Sequence, residues 1–234
     1  YEKGIEVLHD INFEVKPNSV FAIVGESGSG KSTIAKLMAG FFDANDGRIY
    51  FGDQDVKSIP TSQLMKHVAY VAQDNFLFDT SIRENLKIAK ADATDEEIQA
   101  ALKAANCLEL IERLPEGLNS NAGDCGKFLS GGERQRITLA RAMLADAQCI
   151  ILDEATAYAD VENEAKIQEA LSRLMKDKTL IVVAHRLNTI VGADQIMVLG
   201  HGKIESIGTH KELIQNSSAY QKLWQSYSGK EVVE

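Results

Sequence analysis

The chain has 234 residues, of which 44% are hydrophobic and 25% charged, and its formal net charge is −9. This acidic balance argues against a nucleic-acid partner, because contacts to phosphate require clustered lysine and arginine. The three cysteines lack C-x-x-C spacing, so we expect a reducing compartment. The apolar runs are shorter than the ~18 residues that cross a bilayer, and no signal peptide is recognisable, so we expect a soluble globular domain.

The predicted elements alternate between strands and helices in an order typical of α/β proteins. Strand patterns lie at residues 5–15, 20–24, 47–51, 68–72, 149–152, 179–184 and 195–207, and the last of these has the pattern of a hairpin. Helical patterns dominate from Ser81 to Ala145. We therefore predict an α/β core that is interrupted by a helical insertion.

A glycine-rich loop follows the predicted strand at 20–24. Residues 25–32 read G-E-S-G-S-G-K-S, which matches G-x-x-x-x-G-K-[ST], and a helical stretch from Thr33 to Phe42 comes next. A strand, this loop and a helix in that order predict a phosphate-binding unit, because the glycines let successive N–H groups face one anion and the helix N-terminus adds its dipole. Lys31 would reach the β- and γ-phosphates, and Ser32 would ligate Mg²⁺.

Two acidic residues, Asp153 and Glu154, end the buried-strand pattern at 149–152. Doubly wound folds place their chemistry at this carboxyl edge of the sheet. An apolar strand can also end in acidic residues at an ordinary solvated turn, so the interpretation depends on the presence of Lys31 and Ser32.

A second glycine-containing motif, L-S-G-G-E at residues 129–133, precedes an amphipathic helical pattern. Ser130 and Glu133 form an S-x-x-E capping box, so a helix should begin here. Residues 94–97, T-D-E-E, predict a comparable cap without glycines. The two glycines of the first motif disfavour a helix by about 1 kcal/mol each relative to alanine, and they leave N–H groups accessible to an anion.

The L-S-G-G-E motif downstream of a G-x-x-x-x-G-K-S loop resembles the nucleotide-binding domain of ATP-binding cassette (ABC) proteins, and the resemblance covers the whole chain, residues 1–234. It implies an α/β fold with a RecA-like P-loop core, an N-terminal antiparallel β subdomain and an inserted helical subdomain at roughly residues 74–145. It also implies binding and hydrolysis of ATP with Mg²⁺, at a site shared between two head-to-tail copies.

The resemblance also implies roles for individual residues. The residues expected to bind ATP are Tyr1, by stacking on adenine, the loop residues Gly25, Glu26, Ser27, Gly28, Ser29, Gly30, Lys31, Ser32 and Thr33, and, from the second copy, Ser130, Gly131 and Gly132. The residues expected to act in catalysis are Glu154, which would polarise the attacking water, together with His185, Lys31 and Gln73. The residues expected to hold Mg²⁺ are Ser32, Gln73 and Asp153.

Finer resemblances indicate an exporter rather than an importer. Residues 73–78 and 81–85 resemble the Q-loop region of ABC exporters, and residues 208–213 match a C-terminal pattern common among them. The segment before L-S-G-G-E resembles the exporter X-loop, with Asp124 and Cys125 in place of the usual glutamate and arginine. The expected partners are a second nucleotide-binding domain, in a homodimer or a heterodimer, and a transmembrane domain fused upstream. The coupling helices of that domain would lie near 73–78, at the cytoplasmic face of the cell membrane.

One segment departs from the family pattern. Asp160 matches the D-loop aspartate, but residues 157–159 read A-Y-A where serine, alanine and leucine are usual. The contacts of this loop between subunits therefore stay open, whereas the proposed base and metal ligands are unaffected.

Three other functions compare less well with the sequence. A soluble ABC ATPase that acts as a mechanical switch usually carries two cassettes or a long coiled-coil insertion, and this chain shows neither. An ordinary P-loop kinase or GTPase leaves L-S-G-G-E unexplained. A non-catalytic binding module would not need Lys31, Gln73, Glu154 and His185 together, so we expect a hydrolysing site.

Overall fold

The computed structural model describes residues 6–153, 161–174, 177–184 and 190–228. Two compact units divide the chain: Tyr1–Leu64 with Thr179–Glu234 form the first unit, and Met65–Lys178 forms the second unit. The strands are β1 (Val20–Gly25), β2 (Tyr50–Phe51), β3 (Gln54–Asp55), β4 (Val68–Val71), β5 (Cys149–Asp153), β6 (Thr179–Val183), β7 (Gln195–Gly200) and β8 (Lys203–Gly208). The α-helices are α1 (Lys31–Met38), α2 (Thr61–His67), α3 (Ile82–Lys87), α4 (Asp95–Ala104), α5 (Leu108–Arg113), α6 (Gly131–Ala145), α7 (Val161–Leu174), α8 (His210–Asn216) and α9 (Ser218–Ser228).

In the first unit, β1 pairs in parallel with β6 on one side and with β7 on the other, and β7 pairs antiparallel with β8. The residues from Phe21 to Val24 are almost completely buried, as expected for a parallel strand that is covered on both faces. Ala22 and Val24 pack in one core cluster with Leu213 of α8 and Tyr220 of α9. The carboxyl end of β1, where the glycine-rich loop begins, is therefore anchored in the core.

In the second unit, β4 and β5 form a parallel pair with Val68 opposite Cys149 and Val71 opposite Leu152. All residues of β5 are buried. Helix α6 packs against α3, α4, α7 and β4, and its Ile137 and Leu139 are fully buried. Because the two strands are parallel, their carboxyl ends lie at the same edge, which is the edge where such sheets carry functional residues.

Most of the predicted elements are confirmed. The strand patterns at 20–24, 68–72, 149–152 and 179–184 form β1, β4, β5 and β6, and the hairpin pattern at 195–207 forms β7 and β8. Both predicted capping boxes are also present. Thr94 caps α4 and Ser130 caps α6, and in each case the backbone N–H of the cap residue donates to the side chain of the glutamate three residues later.

Two segments differ from the prediction. No strand forms in the described residues 6–15, where Asp10 has a left-handed φ of 51° that interrupts an extended run. The predicted strand at 47–51 is confirmed at Tyr50–Phe51 as β2, which pairs antiparallel with β3. The helix expected to reach Phe42 ends at Met38, because Gly40 has a φ of 71° and its N–H donates to the Leu37 carbonyl at 3.0 Å, an arrangement that closes a helix.

Candidate active site

The glycine-rich loop begins where β1 ends, and its backbone geometry requires glycine at two positions. Gly25 has a φ of 155°, and a Cβ there would lie 2.1 Å from the carbonyl oxygen of Leu199. Gly30 has a φ of 103°, and a Cβ there would lie 2.6 Å from Cδ2 of Leu8. A larger residue would clash with the backbone at position 25, and the positive φ at position 30 disfavours any side chain, so glycine lets the chain turn sharply from β1 into α1.

The start of α1 is suited to an anion. Among the described residues, no side chain caps this helix at Gly30, and its first turn contains no acidic residue. The positive end of the helix dipole and the first-turn N–H groups therefore face the loop without a competing carboxylate. This arrangement binds phosphate in other proteins.

Lys31 brings a positive charge to the same loop. The residue is 4% exposed, and its Nζ donates to the carbonyl oxygens of Gly25 at 3.1 Å and Glu26 at 2.9 Å. Burial of an ammonium group is costly unless it is hydrogen-bonded, and these carbonyls stabilise it. A phosphate oxygen forms a stronger, charge-assisted bond than a neutral carbonyl, so bound polyphosphate would attract Nζ.

In the second unit, Asp153 lies at the carboxyl end of β5 and is 4% exposed. Its Oδ2 accepts a hydrogen bond of 2.6 Å from the Tyr70 hydroxyl of β4. Gln73 lies two residues beyond the end of β4 and is exposed, and its carbonyl oxygen accepts from Asn75 Nδ2 at 3.2 Å. The pairing of β4 with β5 thus brings Asp153 and Gln73 to the same edge of the strand pair.

The start of α6 presents the L-S-G-G-E motif. Ser130 is exposed and Gly132 is buried. The Ser130 hydroxyl accepts from the Glu133 N–H at 3.3 Å, and the Glu133 carboxylate accepts from the Ser130 N–H at 2.8 Å. Burial raises the pKa of Glu133, but hydrogen bonds from Ser130 and Arg113 outweigh it and hold that pKa below its ordinary value. The ionised cap fixes the helix start, while the exposed hydroxyl keeps a proton to donate.

A cluster of polar contacts ties α6 to the segment that follows Gln73. The fully buried Asn85 of α3 donates to the Phe78 carbonyl at 3.0 Å and accepts from the Phe78 N–H at 2.8 Å. Arg141 of α6 donates to the Asn85 carbonyl at 2.9 Å and to the Asn85 side chain at 3.0 Å. Burial lowers the pKa of Arg141. These bonds hold the backbone beside Phe76 and Phe78, whose side chains are 43% and 50% exposed.

The predicted site residues divide among three groups. The first unit gathers the loop residues 25–33, and the second unit contains Gln73, Asp153 and residues 130–132. Tyr1, Glu154, Asp160 and His185 lie outside the described residues. The roles assigned to these residues stay predictions.

Sequence reasoning missed Tyr70, Asn85 and Arg141. Tyr70 carries a hydroxyl inside a buried strand pattern, which is a signal for a buried hydrogen bond. The contacts of Asn85 and Arg141 join residues 56 positions apart, and no local pattern predicts them.

The donor set fits Mg²⁺. In the described ranges, no group of three or more His, Cys, Asp or Glu side chains is arranged to hold a metal ion. Mg²⁺ does not require such a cage, because it is usually bound by one or two carboxylates with water and substrate phosphates. The buried carboxylate of Asp153 and the amide oxygen of Gln73 in the second unit and, taken separately, the Ser32 hydroxyl in the first unit are hard oxygen donors of the kind that this ion prefers.

The fold and the loop define a P-loop nucleotide-binding domain. The family model described as "ABC transporter" matches residues 8–157. The heavy metal tolerance protein of Schizosaccharomyces pombe is 48% identical over 225 residues, which cover 96% of this chain and 27% of that protein. The mycobactin import ATP-binding/permease protein IrtA of Mycolicibacterium smegmatis is 46% identical over 226 residues, which cover 97% of this chain and 26% of that protein.

A solved structure agrees with these relatives. A bacterial Atm1-family ABC exporter with ATP bound superposes with a TM-score of 0.91 at 36% sequence identity, over 100% of this chain and 40% of that one. The chain belongs to the ABC transporter family and is an ATP-binding, ATP-hydrolysing domain. It spans about a quarter of the length of these two curated relatives. Among the described helices, none is both long and apolar enough to cross a membrane.

Proposed function

We propose that this chain is the motor domain of an ABC exporter, in which ATP joins two copies of the domain head to tail. The observation that carries the proposal is that the chain has, besides the glycine-rich loop before α1, a second motif at the start of α6, where Ser130 is exposed and glycines occupy the first two helical positions. One glycine-rich loop is enough to hold the phosphates of one nucleotide. The start of α6 is explained if it completes the site of a nucleotide that is bound to the loop of another copy.

Residues 25–33 would bind the triphosphate, with Lys31 exchanging its carbonyl acceptors for the β- and γ-phosphates and Tyr1 stacking on adenine. Ser130 and the first-turn N–H groups of α6 would contact the γ-phosphate from the second copy. Ser32, Gln73 and Asp153 would hold Mg²⁺, which neutralises charge on the phosphates when bound.

Hydrolysis would then follow from residues at the strand edge. Glu154 would orient the attacking water and accept its proton, while Lys31, His185 and the start of α6 would stabilise the charge that develops on the γ-phosphate. Loss of the γ-phosphate removes the group that bridges the two copies. The dimer would therefore open after each turnover.

The partner that uses this cycle would be a transmembrane domain on the same polypeptide, since relatives such as IrtA are named ATP-binding/permease proteins. The surface formed by Phe76, Phe78 and Ile88, all exposed by more than 40%, is where we place its coupling helices, on a helical subdomain at roughly 74–145. Phe78 and Ile88 line a shallow, open depression on this surface together with Thr80 and Glu84. The chain would work at the cytoplasmic face of the cell membrane.

Export is the direction we favour. Named relatives include both an import protein, IrtA, and the putative multidrug export ATP-binding/permease protein YgaD of Bacillus subtilis, which is 47% identical over 225 residues. The similarity of residues 73–78 and 81–85 to the exporter Q-loop region and the fold match to an Atm1-family exporter support export. A soluble mechanical switch is not favoured, because these relatives are transporters.

Mixing two inactive variants tests the shared site. Lys31→Ala disables the loop, and Gly132→Asp disables the start of α6. A hybrid dimer of the two contains one site with an intact loop and an intact motif, so the mixture should hydrolyse ATP when neither variant does alone. The matched control mixes Lys31→Ala with the double variant, which leaves no intact site. Hybrid dimers that form, as seen by native mass spectrometry, but stay inactive would contradict the proposal.

A further inference from the structure

The hydrogen bond between Tyr70 and Asp153 carries a role that the family resemblance does not assign. Tyr70 lies opposite Ile151 in the parallel pair of β4 and β5. Side chains two residues apart in a strand point to the same face, so Asp153 lies on the face that Tyr70 occupies, one step nearer the carboxyl edge. The tyrosine side chain reaches diagonally from β4 to β5, and its hydroxyl donates to Oδ2 of Asp153 at 2.6 Å.

The length and the setting of this bond make it a strong constraint. A hydroxyl that donates to a carboxylate forms a short bond of about 2.5–2.7 Å, roughly twice as strong as a bond between neutral groups. Asp153 is 4% exposed, so water competes little for the same oxygen. The bond therefore fixes the rotation of the carboxylate, and with it the direction in which the other oxygen points.

A phenylalanine at position 70 would supply the same apolar ring to the strand pair. The hydroxyl is thus the part of Tyr70 that acts on Asp153. Groups that hydrogen-bond to a metal-binding side chain orient that side chain, and their loss typically weakens metal binding by about 10–100-fold.

We propose that Tyr70 is a positioning residue that orients Asp153 toward the Mg²⁺ of bound MgATP. The inference rests on the proposed role of Asp153 as a metal ligand. Tyr70 itself contacts neither nucleotide nor metal in this account.

Binding of Mn²⁺ to the 234-residue chain provides a readout that does not depend on turnover. The chain is held in excess over the non-hydrolysable imido analogue of ATP, so that the nucleotide is bound, and free Mn²⁺ is measured by electron paramagnetic resonance. Tyr70→Phe should weaken Mn²⁺ binding about tenfold, and affinity for the nucleotide in EDTA should not change. Added Mg²⁺ should also restore most of the ATPase activity of Tyr70→Phe.

Two further variants make the result decisive. Tyr220→Phe removes a hydroxyl that bonds to His210 Nδ1 at 2.9 Å in the first unit, and it should leave Mn²⁺ binding unchanged. Asp153→Asn should weaken Mn²⁺ binding more than Tyr70→Phe does. If Asp153→Asn weakens binding and Tyr70→Phe does not, the inference about Tyr70 is wrong while the metal site stands. If Asp153→Asn has no effect, the metal role of Asp153 fails, and the role of Tyr70 fails with it.

Equal losses of Mn²⁺ affinity in Tyr70→Phe and Tyr220→Phe would also overturn the inference, because they would reflect general destabilisation of the chain.

Discussion

Ser130→Ala separates the structural role of the L-S-G-G-E motif from its proposed chemical role, because the chain contains a matched control. The hydroxyls of Ser130 and Thr94 each accept from the N–H of the third helix residue at 3.3 Å, and their own N–H groups donate to the carboxylate of that residue, a glutamate, at 2.8 and 3.0 Å. Both residues are exposed. Loss of such a cap costs about 1 kcal/mol, so Ser130→Ala and Thr94→Ala should lower the free energy of unfolding equally, with a fall in Tm of about 2–4 °C.

The two variants should differ in turnover. Ser130→Ala removes the hydroxyl that we propose donates to the γ-phosphate of the second copy, and loss of one such donor typically lowers the rate by about 10²–10³-fold. Thr94→Ala should hydrolyse ATP at the wild-type rate. Urea unfolding gives the stabilities, and steady-state ATPase assays under conditions where both variants are folded give the rates. Equal turnover in the two variants would refute the assignment of Ser130 to the shared site.

Three further substitutions test other parts of the account. Glu154→Gln should lower ATP turnover by about 10²–10⁴-fold, as for loss of a general base, while ATP still binds and an ATP-bound dimer accumulates in light scattering; near-normal hydrolysis would exclude Glu154 as the base. Lys31→Ala should weaken binding of a fluorescent ATP analogue as well as turnover, because it removes a charge pair with phosphate, and an unchanged Kd would count against that contact. Asn85→Ala removes hydrogen bonds to Phe78 and Arg141. It should lower the free energy of unfolding, measured in urea, by about 3 kcal/mol. A loss below about 1 kcal/mol would show that these hydrogen bonds contribute little to stability.

Local patterns predicted the parts of the fold whose causes are local. Apolar runs of strand length gave β1, β5 and β6, because each is buried and bounded by turn residues. The capping boxes at Thr94 and Ser130 predicted the first residue of each helix correctly, since a cap satisfies backbone groups within four positions. The predicted strand between residues 6 and 15 was wrong, because strand propensity does not reveal the left-handed backbone at Asp10.

The parts of the site that lie within one continuous sequence motif were predictable. The glycine-rich loop and Lys31 follow from one continuous segment, and so does the cap at Ser130. The bond from Tyr70 to Asp153 joins residues 83 positions apart, so it depends on the register of β4 with β5. Arg141 bonds to Asn85 through the packing of α6 on α3. The bounds of the helical subdomain, 74–145, stay a prediction.

The most direct test of the shared site is the dependence of ATPase activity on protein concentration. If each site needs the loop of one copy and the L-S-G-G-E motif of another, the activity per milligram should rise from nanomolar to high micromolar protein and then level off. Light scattering in ATP should show dimers over the same range, most clearly for Glu154→Gln. A flat specific activity across that range, with monomers alone in ATP, would contradict the head-to-tail dimer and leave a P-loop enzyme that acts by itself.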